Sequence, residues 1–323
     1  ESDRLIRLVE KMYNENGVQV LEKTVNYSYD DNGNELMQNT SYMHPHDISL
    51  IRKTKGSAYG DDVDGEIHPI IERVRNSYDG FNRMVKAERV QDGTRTITGY
   101  VYNGDGLRTQ KSVKSSDDGY VADITNYLYD RQYVILETDG NNAKKTRYVR
   151  GINYILNLDK TNTESYYLYN GHGDVVHTAL SDGTVRNNYD YDIFGNATLT
   201  IEEQENSIRY AGEYYDKETG LYYLRARYYN PYTGRFTTED SYWGEDDNPL
   251  SLNRYTYAYN NPLRFIDPSG HRPVEADRPE DYPDRNKVDK LSDKYIGGLN
   301  KDETIDEINK QKAAWFEYDN PDS

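Results

Sequence analysis

Polar and apolar positions alternate along the first two thirds of the chain, around a recurring pair of tyrosines. Two tyrosines separated by one residue and followed by Asp or Asn occur at Tyr27-Ser-Tyr-Asp30, Tyr100-Val-Tyr-Asn103, Tyr127-Leu-Tyr-Asp130, Tyr167-Leu-Tyr-Asn170 and Tyr189-Asp-Tyr-Asp192. Side chains at i and i+2 share one face of a β-strand, and Asp or Asn near a Gly favours a turn. Each pair therefore predicts a strand, a turn and a returning strand.

The second tyrosines return at a nearly regular interval. Together with two degenerate copies they fall at Tyr78, Tyr102, Tyr129, Tyr148, Tyr169 and Tyr191, in steps of 24, 27, 19, 21 and 22 residues. This period predicts an array of hairpins, because one hairpin needs its neighbours to bury its apolar face. The interval between Tyr29 and Tyr78 leaves room for one degenerate unit around Tyr59. Tight turns are predicted where Asn or Asp precedes Gly, at Asn32, Asp92, Asp118, Asp139 and Asp182.

The chain divides into three regions. Residues 1–209 form the repeat array, and residues 210–271 are rich in tyrosine and arginine without periodicity, as expected where an array is capped or plugged. Residues 272–323 lose the tyrosine pairs and carry 9 basic against 14 acidic residues. A proline-containing linker there precedes an amphipathic helix predicted over Asp302–Phe316. We expect an all-β array followed by a short, partly α-helical tail.

Composition restricts the chemistry of the array. Apolar residues make up 35% of the 323 residues, and 34 tyrosines stand against 5 phenylalanines, so tyrosine supplies much of the core. Aromatic cross-strand pairs suit this role, because each adds about 0.2–1 kcal/mol. The net charge of −17 argues against a nucleic-acid surface on the repeats, since phosphate binding needs clustered Lys and Arg. No apolar stretch approaches the roughly 20 residues that span a bilayer.

Cofactor and metal sites are not expected. The chain has no cysteine, which removes disulfides, thiol nucleophiles and thiolate metal sites. The six histidines lack metal-ligand spacing on a predicted helix, His44-Pro-His46 being the nearest approach. Asp61-Asp-Val-Asp64-Gly65 lacks the closing glutamate of a calcium loop. Because the chain begins without Met or a signal peptide, we expect a fragment of a longer chain.

The second region carries a resemblance to a known family. The motifs are Gly220-Leu-Tyr-Tyr-Leu-Arg-Ala-Arg-Tyr-Tyr-Asn-Pro231, Gly234-Arg-Phe236, Asn260-Asn-Pro262 and Asp267-Pro-Ser-Gly270. With the tyrosine repeats, they resemble the RHS/YD-repeat family and its RHS-associated core over about residues 20–271. The resemblance implies that the hairpins curl into a shell-like spiral sheet, that the core seals one end, and that a variable toxin follows it.

The resemblance also implies self-cleavage by an arginine and two aspartates. Arg227, Asp240 and Asp267 occupy the matching positions, and the scissile bond is expected between His271 and Arg272. Two close acids cannot both ionise, so one keeps its proton and polarises the peptide carbonyl while the other activates water. Arg227 would steady the ionised acid.

Two positions depart from the family pattern, and a structural interpretation stays open. Ser241 stands where the family usually has Pro, and His271 where it usually has Leu. In the structural interpretation Asp267 caps the Asp-Pro turn, Asp240 starts a loop and Arg227 is an ordinary buried ion-pair donor.

Two main functions are compatible with the sequence. The first is a secreted or cell-surface bacterial delivery shell that releases a C-terminal effector in interbacterial competition, with a cognate immunity protein as the partner of the tail. Its enzymatic activity would be a single-turnover aspartyl self-cleavage. The tail has no Cys or His after His271, so a His-based nuclease or a thiol hydrolase built within it is excluded. The second is an adhesion repeat protein whose exposed tyrosines bind cell-surface glycans; a spacer without activity is a third reading.

Overall fold

The structure is a computed structural model and describes residues 3–43, 70–244 and 248–276. Within these ranges fifteen antiparallel strands form one sheet, in which the spatial order of the strands follows the chain. The strands are β1 (Arg7–Tyr13), β2 (Gln19–Tyr29), β3 (Glu35–Met43), β4 (Ile70–Tyr78), β5 (Met84–Gln91), β6 (Thr94–Tyr102), β7 (Arg108–Ser115), β8 (Asp123–Asp130), β9 (Tyr133–Thr138), β10 (Lys144–Arg150), β11 (Tyr154–Leu158), β12 (Glu164–Tyr169), β13 (Val175–Ala179), β14 (Val185–Tyr191) and β15 (Ala197–Glu202).

Two smaller sheets follow this long sheet. The four-stranded sheet contains β16 (Tyr214–Asp216), β17 (Leu221–Leu224), β18 (Arg227–Asn230) and β19 (Arg235–Phe236), and the two-stranded sheet contains β20 (Phe265–Ile266) and β21 (Val274–Glu275). Three short 3-10 helices are described, at Tyr210–Gly212, Pro249–Ser251 and Ala258–Asn260. The all-β array predicted from the tyrosine repeats is confirmed. The boundaries at 209 and 271 between the three regions stay a prediction.

Several sequence-based expectations fall outside the described residues. They are the degenerate unit around Tyr59, the His44-Pro-His46 segment, the Asp61–Gly65 turn and the helix at Asp302–Phe316.

The two tyrosines of each pair have different roles. In the five full pairs the first ring is buried, the intervening residue is exposed and the second ring is half-buried. The second phenol donates a hydrogen bond to a backbone carbonyl of the preceding hairpin, 2.7–3.0 Å away. These bonds run from Tyr29 to Leu5, Tyr78 to Glu35, Tyr102 to Met84, Tyr129 to Arg108, Tyr169 to Tyr154 and Tyr191 to Val175. Through these bonds each phenol ties one repeat to the one before it. The strand register also shifts beside each of these tyrosines, as in a β-bulge.

In four of the five full pairs the side chain of the following Asp or Asn accepts backbone N–H groups of the turn. The Asn103 Oδ1 atom accepts hydrogen bonds from the backbone N–H groups of Asp105 at 3.0 Å and Leu107 at 2.9 Å. Gly106, three residues after Asn103, has φ +82°, a region that favours glycine. The Asp139-Gly140 turn departs from the prediction, because Asp139 takes the capping position and the left-handed residue is Asn142, with φ +63°.

The four-stranded sheet packs on the tyrosine face of the long sheet. The Tyr214 and Tyr127 ring centroids are 5.5 Å apart, and the Tyr228 and Tyr100 centroids are 5.4 Å apart. Residues that follow the long sheet contact it along its length. At one end the Gly33 carbonyl accepts a hydrogen bond from the Tyr255 phenol at 2.8 Å. At the other end the contacts reach the turn that follows β14. The long sheet therefore curves around the smaller one, and the tyrosine core lies between them.

A group of buried charges joins the two sheets. Arg108 on β7 is 1% exposed and forms an ion pair with Asp216 on β16, which is fully buried. The Lys111 Nζ atom lies 3.1 Å from the other Asp216 oxygen. Burial opposes ionisation of Asp216, but the two cations outweigh it and hold the pKa of this carboxyl below its usual range. The Arg108 guanidinium also lies 4.5–5.9 Å from the ring centroids of Tyr100, Tyr127, Tyr214, Tyr223 and Tyr228.

Candidate self-cleavage site

Three strand ends bring together the arginine and the two aspartates that the sequence singled out. Arg227 is the first residue of β18, Asp240 lies in the loop after β19, and Asp267 directly follows β20. All three are nearly buried, with 5%, 6% and 1% of their surface exposed. Burial of three charged residues needs mutual compensation, and their contacts supply it.

Arg227 contacts both acids and the turn that follows Asp267. Its Nη2 atom lies 2.6 Å from Asp240 Oδ2 and 3.8 Å from Asp267 Oδ2. Its Nε–H donates to the Gly270 carbonyl, and its Nη1–H donates to the Arg254 carbonyl at 2.9 Å. Burial lowers the pKa of Arg227 to about 10, against the attraction of the two carboxyls, so the guanidinium still carries its charge at neutral pH.

Asp267 holds the backbone on both sides of the expected scissile bond. Its Oδ1 atom accepts hydrogen bonds from the N–H groups of Gly270 at 2.9 Å, His271 at 3.1 Å and Arg272 at 3.1 Å. Its Oδ2 atom is buried and has no hydrogen-bond partner among the described residues. Burial raises the pKa of Asp267 above its usual range, although Arg227 opposes this shift. Burial therefore favours the protonated form of Asp267.

Asp240 is the acid with charged and polar donors on both oxygens. Its Oδ2 atom is in the ion pair with Arg227, and its Oδ1 atom accepts a hydrogen bond from the Tyr242 N–H at 3.0 Å. The His271 Nδ1 atom lies 2.8 Å from the same Oδ1 atom. Asp240 is thus paired directly with the guanidinium, whereas the nearest Asp267 oxygen is 3.8 Å from it, so the two acids have unequal environments.

A cavity of about 490 Å³ opens beside this cluster. Arg227, Asp240 and Asp267 line it, together with His271 and Arg272, the two residues of the expected scissile bond. A polar cavity of this size has room for several water molecules. The site can therefore combine an acid, an ionised carboxylate, a guanidinium and water beside one peptide bond.

A second ion pair, between Arg225 and Glu213, holds the turn that follows Asp267, and the sequence analysis did not single it out. The Arg225 Nη1–H donates to the Pro268 carbonyl at 2.8 Å and is paired with Glu213. Arg225 also reaches the long sheet, where its guanidinium lies 5.2 Å from the Tyr133 ring centroid. Burial raises the pKa of Glu213 to about 7, against the opposing charge of Arg225. Two arginines separated by one residue, Arg225 and Arg227, were the only local signal.

The structural interpretation left open by the sequence is compatible with the same geometry. Asp267 does cap the Asp-Pro turn, and Arg227 does form buried ion pairs. The additional feature is the hydrogen bond from the Arg272 N–H, because this nitrogen belongs to the expected scissile bond.

Known proteins resemble the chain in sequence and in fold. No protein-family model matches it. It is 40% identical over 178 residues to the tRNA3(Ser)-specific nuclease WapA of Bacillus spizizenii, a match that covers 53% of this chain and 7% of that protein. It is 45% identical over 67 residues to the toxin protein Tse5 of Pseudomonas aeruginosa, covering 20% of this chain and 4% of that protein. The chain thus spans less than a tenth of either relative.

The solved structure of TcdB2-TccC3 has the same kind of fold. It matches with a TM-score of 0.50 and 21% identity over 82% of this chain and 15% of that one. The ordered core motifs, the hairpin array and these relatives agree. This combination is consistent with an RHS/YD-repeat protein. No helix of the described residues is long and apolar enough to cross a membrane.

Proposed function

We propose that this RHS/YD-repeat chain is the wall and core of a polymorphic toxin, and that the core cleaves itself between His271 and Arg272. The observation that carries the proposal is the hydrogen bond from the Arg272 N–H to Asp267 Oδ1, beside the Arg227–Asp240 ion pair. These contacts hold one acid against the N–H of the leaving nitrogen and a second acid, paired with Arg227, nearby.

The contacts suggest a role for each acid. Asp267 Oδ1 accepts the Arg272 N–H, so the proton that Asp267 gives to the Arg272 nitrogen as the C–N bond breaks is carried on Oδ2. The sequence predicted that the neutral acid polarises the carbonyl, whereas the observed contact of Asp267 is with the N–H group of the leaving nitrogen. Asp240, paired with Arg227, supports removal of a proton from the attacking water. The scissile bond is part of the same chain, so high effective concentration favours a single turnover.

Release of the segment after residue 271 would serve delivery of an effector to competing bacteria. The names of the relatives, a tRNA nuclease and a toxin, support this purpose. The same proposal includes secretion of the protein and a cognate immunity protein that binds the released effector.

The experiment that tests self-cleavage measures the fragment itself. Purified chain is expected to yield a fragment whose first residue is Arg272, identified by N-terminal sequencing and intact mass. Asp267→Asn and Asp240→Asn each abolish it, because they remove the proton donor or the negative charge. Asp105→Asn, in an exposed turn, serves as the matched control and cleaves like the natural chain. A folded natural chain that stays intact would refute the proposal.

The alternative of glycan binding depended on exposed stacks of tyrosine. The first ring of each full pair is buried, and the second phenol is bonded to backbone of the preceding hairpin. The full pairs therefore present no fully exposed stack of tyrosines to a sugar, and we do not favour this function.

A further inference from the structure

One hairpin holds the cleavage turn, residues 268–270, which leads to the expected scissile bond. The carbonyls of Pro268, Ser269 and Gly270 each accept a hydrogen bond from a residue where β17 turns into β18. The donors, in the same order, are the Arg225 Nη1–H at 2.8 Å, the Ala226 backbone N–H at 3.4 Å and the Arg227 Nε–H. Three consecutive residues of the hairpin are therefore matched to three consecutive carbonyls of the cleavage turn.

The packing between this hairpin and the cleavage turn is close. Gly270 has φ +75°, a region that favours glycine. A Cβ atom at this position would collide with the Leu224 carbonyl oxygen and would lie 3.1 Å from the Arg227 backbone nitrogen. A shift of the hairpin would therefore displace the cleavage turn, and with it the backbone around His271 and Arg272.

Arg225 also contacts the long sheet. Its Nε–H donates to the Gln132 carbonyl at 3.4 Å, in the turn between β8 and β9, and its guanidinium lies 5.2 Å from the Tyr133 ring centroid. Its charge is balanced by Glu213, which is 7% exposed. One guanidinium thus binds both the cleavage turn and the array.

We propose that Arg225 is a positioning residue for self-cleavage, and that it makes the reaction depend on contact between the hairpin and the β8–β9 turn of the long sheet. This inference rests on the self-cleavage proposed above. With the contact in place, Arg225 holds the Pro268 carbonyl while Asp267 holds the Arg272 N–H. Without it, the cleavage turn loses one of its three carbonyl contacts, and a displacement of about 1 Å can slow a reaction about 100-fold. The segment after residue 271 is then released only from a chain whose core is docked on its array.

The first test changes Arg225 in the full chain. Each variant is made by cell-free translation, and the fragment that begins at Arg272 is quantified over time by intact mass. Arg225→Met keeps a long side chain without its donors and is expected to slow cleavage about 10- to 100-fold. Arg225→Lys is expected to recover most of the rate, because a single nitrogen, Nη1, contacts both Glu213 and the Pro268 carbonyl, and an ammonium group can replace it.

The second test changes the partner of Arg225 in the long sheet. Tyr133→Phe keeps the ring beside the guanidinium and is expected to cleave like the natural chain. Tyr133→Ala removes the ring and is expected to cleave about 3- to 10-fold more slowly. Because Tyr133 belongs to the array, this loss would show that the array acts on the cleavage turn.

Arg83→Met serves as the matched control. Arg83 also pairs with an acid, Asp79, donates to the Asn103 carbonyl at 3.2 Å and lies 5.0 Å from the Tyr102 ring centroid, but these contacts stay within the array. This variant is expected to keep the natural cleavage rate. Urea unfolding of every variant ensures that rates are compared for folded chains.

The outcomes separate this inference from the proposal on which it rests. The inference is overturned if folded Arg225→Met cleaves at the natural rate, if Arg225→Lys is as slow as Arg225→Met, or if Tyr133→Ala keeps the natural rate. If Arg225→Met does not fold, the two Tyr133 variants decide. A natural chain that yields no fragment contradicts the proposed function instead.

Discussion

Glu35 is a buried carboxyl with no cation paired to it. It is 6% exposed and lies among the phenols of Tyr27, Tyr29 and Tyr78, and it forms no ion pair within the described residues. Burial raises its pKa to about 8. Asp216, by contrast, is equally buried but faces Arg108 and Lys111, and its pKa is lowered. At the residue scale, the direction of the pKa shift in these two carboxyls follows from the presence or absence of a paired cation rather than from the depth of burial.

The raised pKa of Glu35 makes stability depend on pH. Below its ordinary value of 4.5 the group is neutral in both the folded and the unfolded chain. As pH rises towards 8 the unfolded chain ionises while the folded one stays neutral, so the free energy of unfolding falls, by about 2–4 kcal/mol. Glu35→Gln is expected to remove this decline, measured by urea unfolding at pH 5 and pH 8. Glu15→Gln, in an exposed turn, is expected to leave it unchanged.

At the scale of the element, the two tyrosines of a hairpin repeat divide packing and hydrogen bonding between them. The Tyr127 ring is buried against Tyr214 and Arg108, but its hydroxyl has no hydrogen-bond partner among the described residues. The Tyr129 hydroxyl, two residues later, donates to the Arg108 carbonyl at 2.7 Å. In this pair one tyrosine therefore fills the core and the other links neighbouring repeats; among the first tyrosines of the full pairs Tyr167 differs, because its hydroxyl bonds to Asn157 and Asn206.

The two tyrosines are expected to respond differently to the same substitution. Tyr129→Phe leaves a carbonyl without its donor and is expected to lower the free energy of unfolding by about 1 kcal/mol. Tyr127→Phe keeps the ring and removes an unpaired hydroxyl, so it is expected to be neutral or slightly stabilising. Urea unfolding of both variants measures the difference. Equal losses in the two variants would contradict the division of roles.

At the scale of the whole molecule, the long sheet and the four-stranded sheet depend on each other. Asp216 on β16 neutralises Arg108 and Lys111 on β7, inside the tyrosine core. Arg225 donates a hydrogen bond to the turn that follows Asp267, and its guanidinium also lies over the ring of Tyr133 in the long sheet. The geometry of the candidate cleavage site therefore depends on the docking of the two sheets.

Removing the shared anion is expected to loosen this docking. Asp216→Asn leaves the buried Arg108 without its carboxylate and Lys111 with Glu218 alone, 3.1 Å away, and is expected to destabilise the chain by about 3–5 kcal/mol. Glu205→Gln breaks only the exposed pair with Lys217, at 2.6 Å, and is expected to cost less than about 1 kcal/mol. Thermal unfolding of both variants tests the contrast, and similar melting temperatures would refute it.

The sequence could predict what depends on local spacing. Two tyrosines at i and i+2 followed by Asp or Asn define a strand and its turn, because strand alternation and side-chain capping act within a few residues. The array, the all-β class and the candidates Arg227, Asp240 and Asp267 were therefore accessible from sequence and resemblance.

Only the tertiary structure decided which distant residues meet. The Arg108–Asp216 pair joins residues 108 positions apart, and the His271–Asp240 contact joins residues 31 positions apart. The burial of Glu35 and the turn contact of Arg225 likewise arise where the two sheets dock. No local pattern encodes these contacts, because the partners of each group are neighbours that folding brings from elsewhere in the chain.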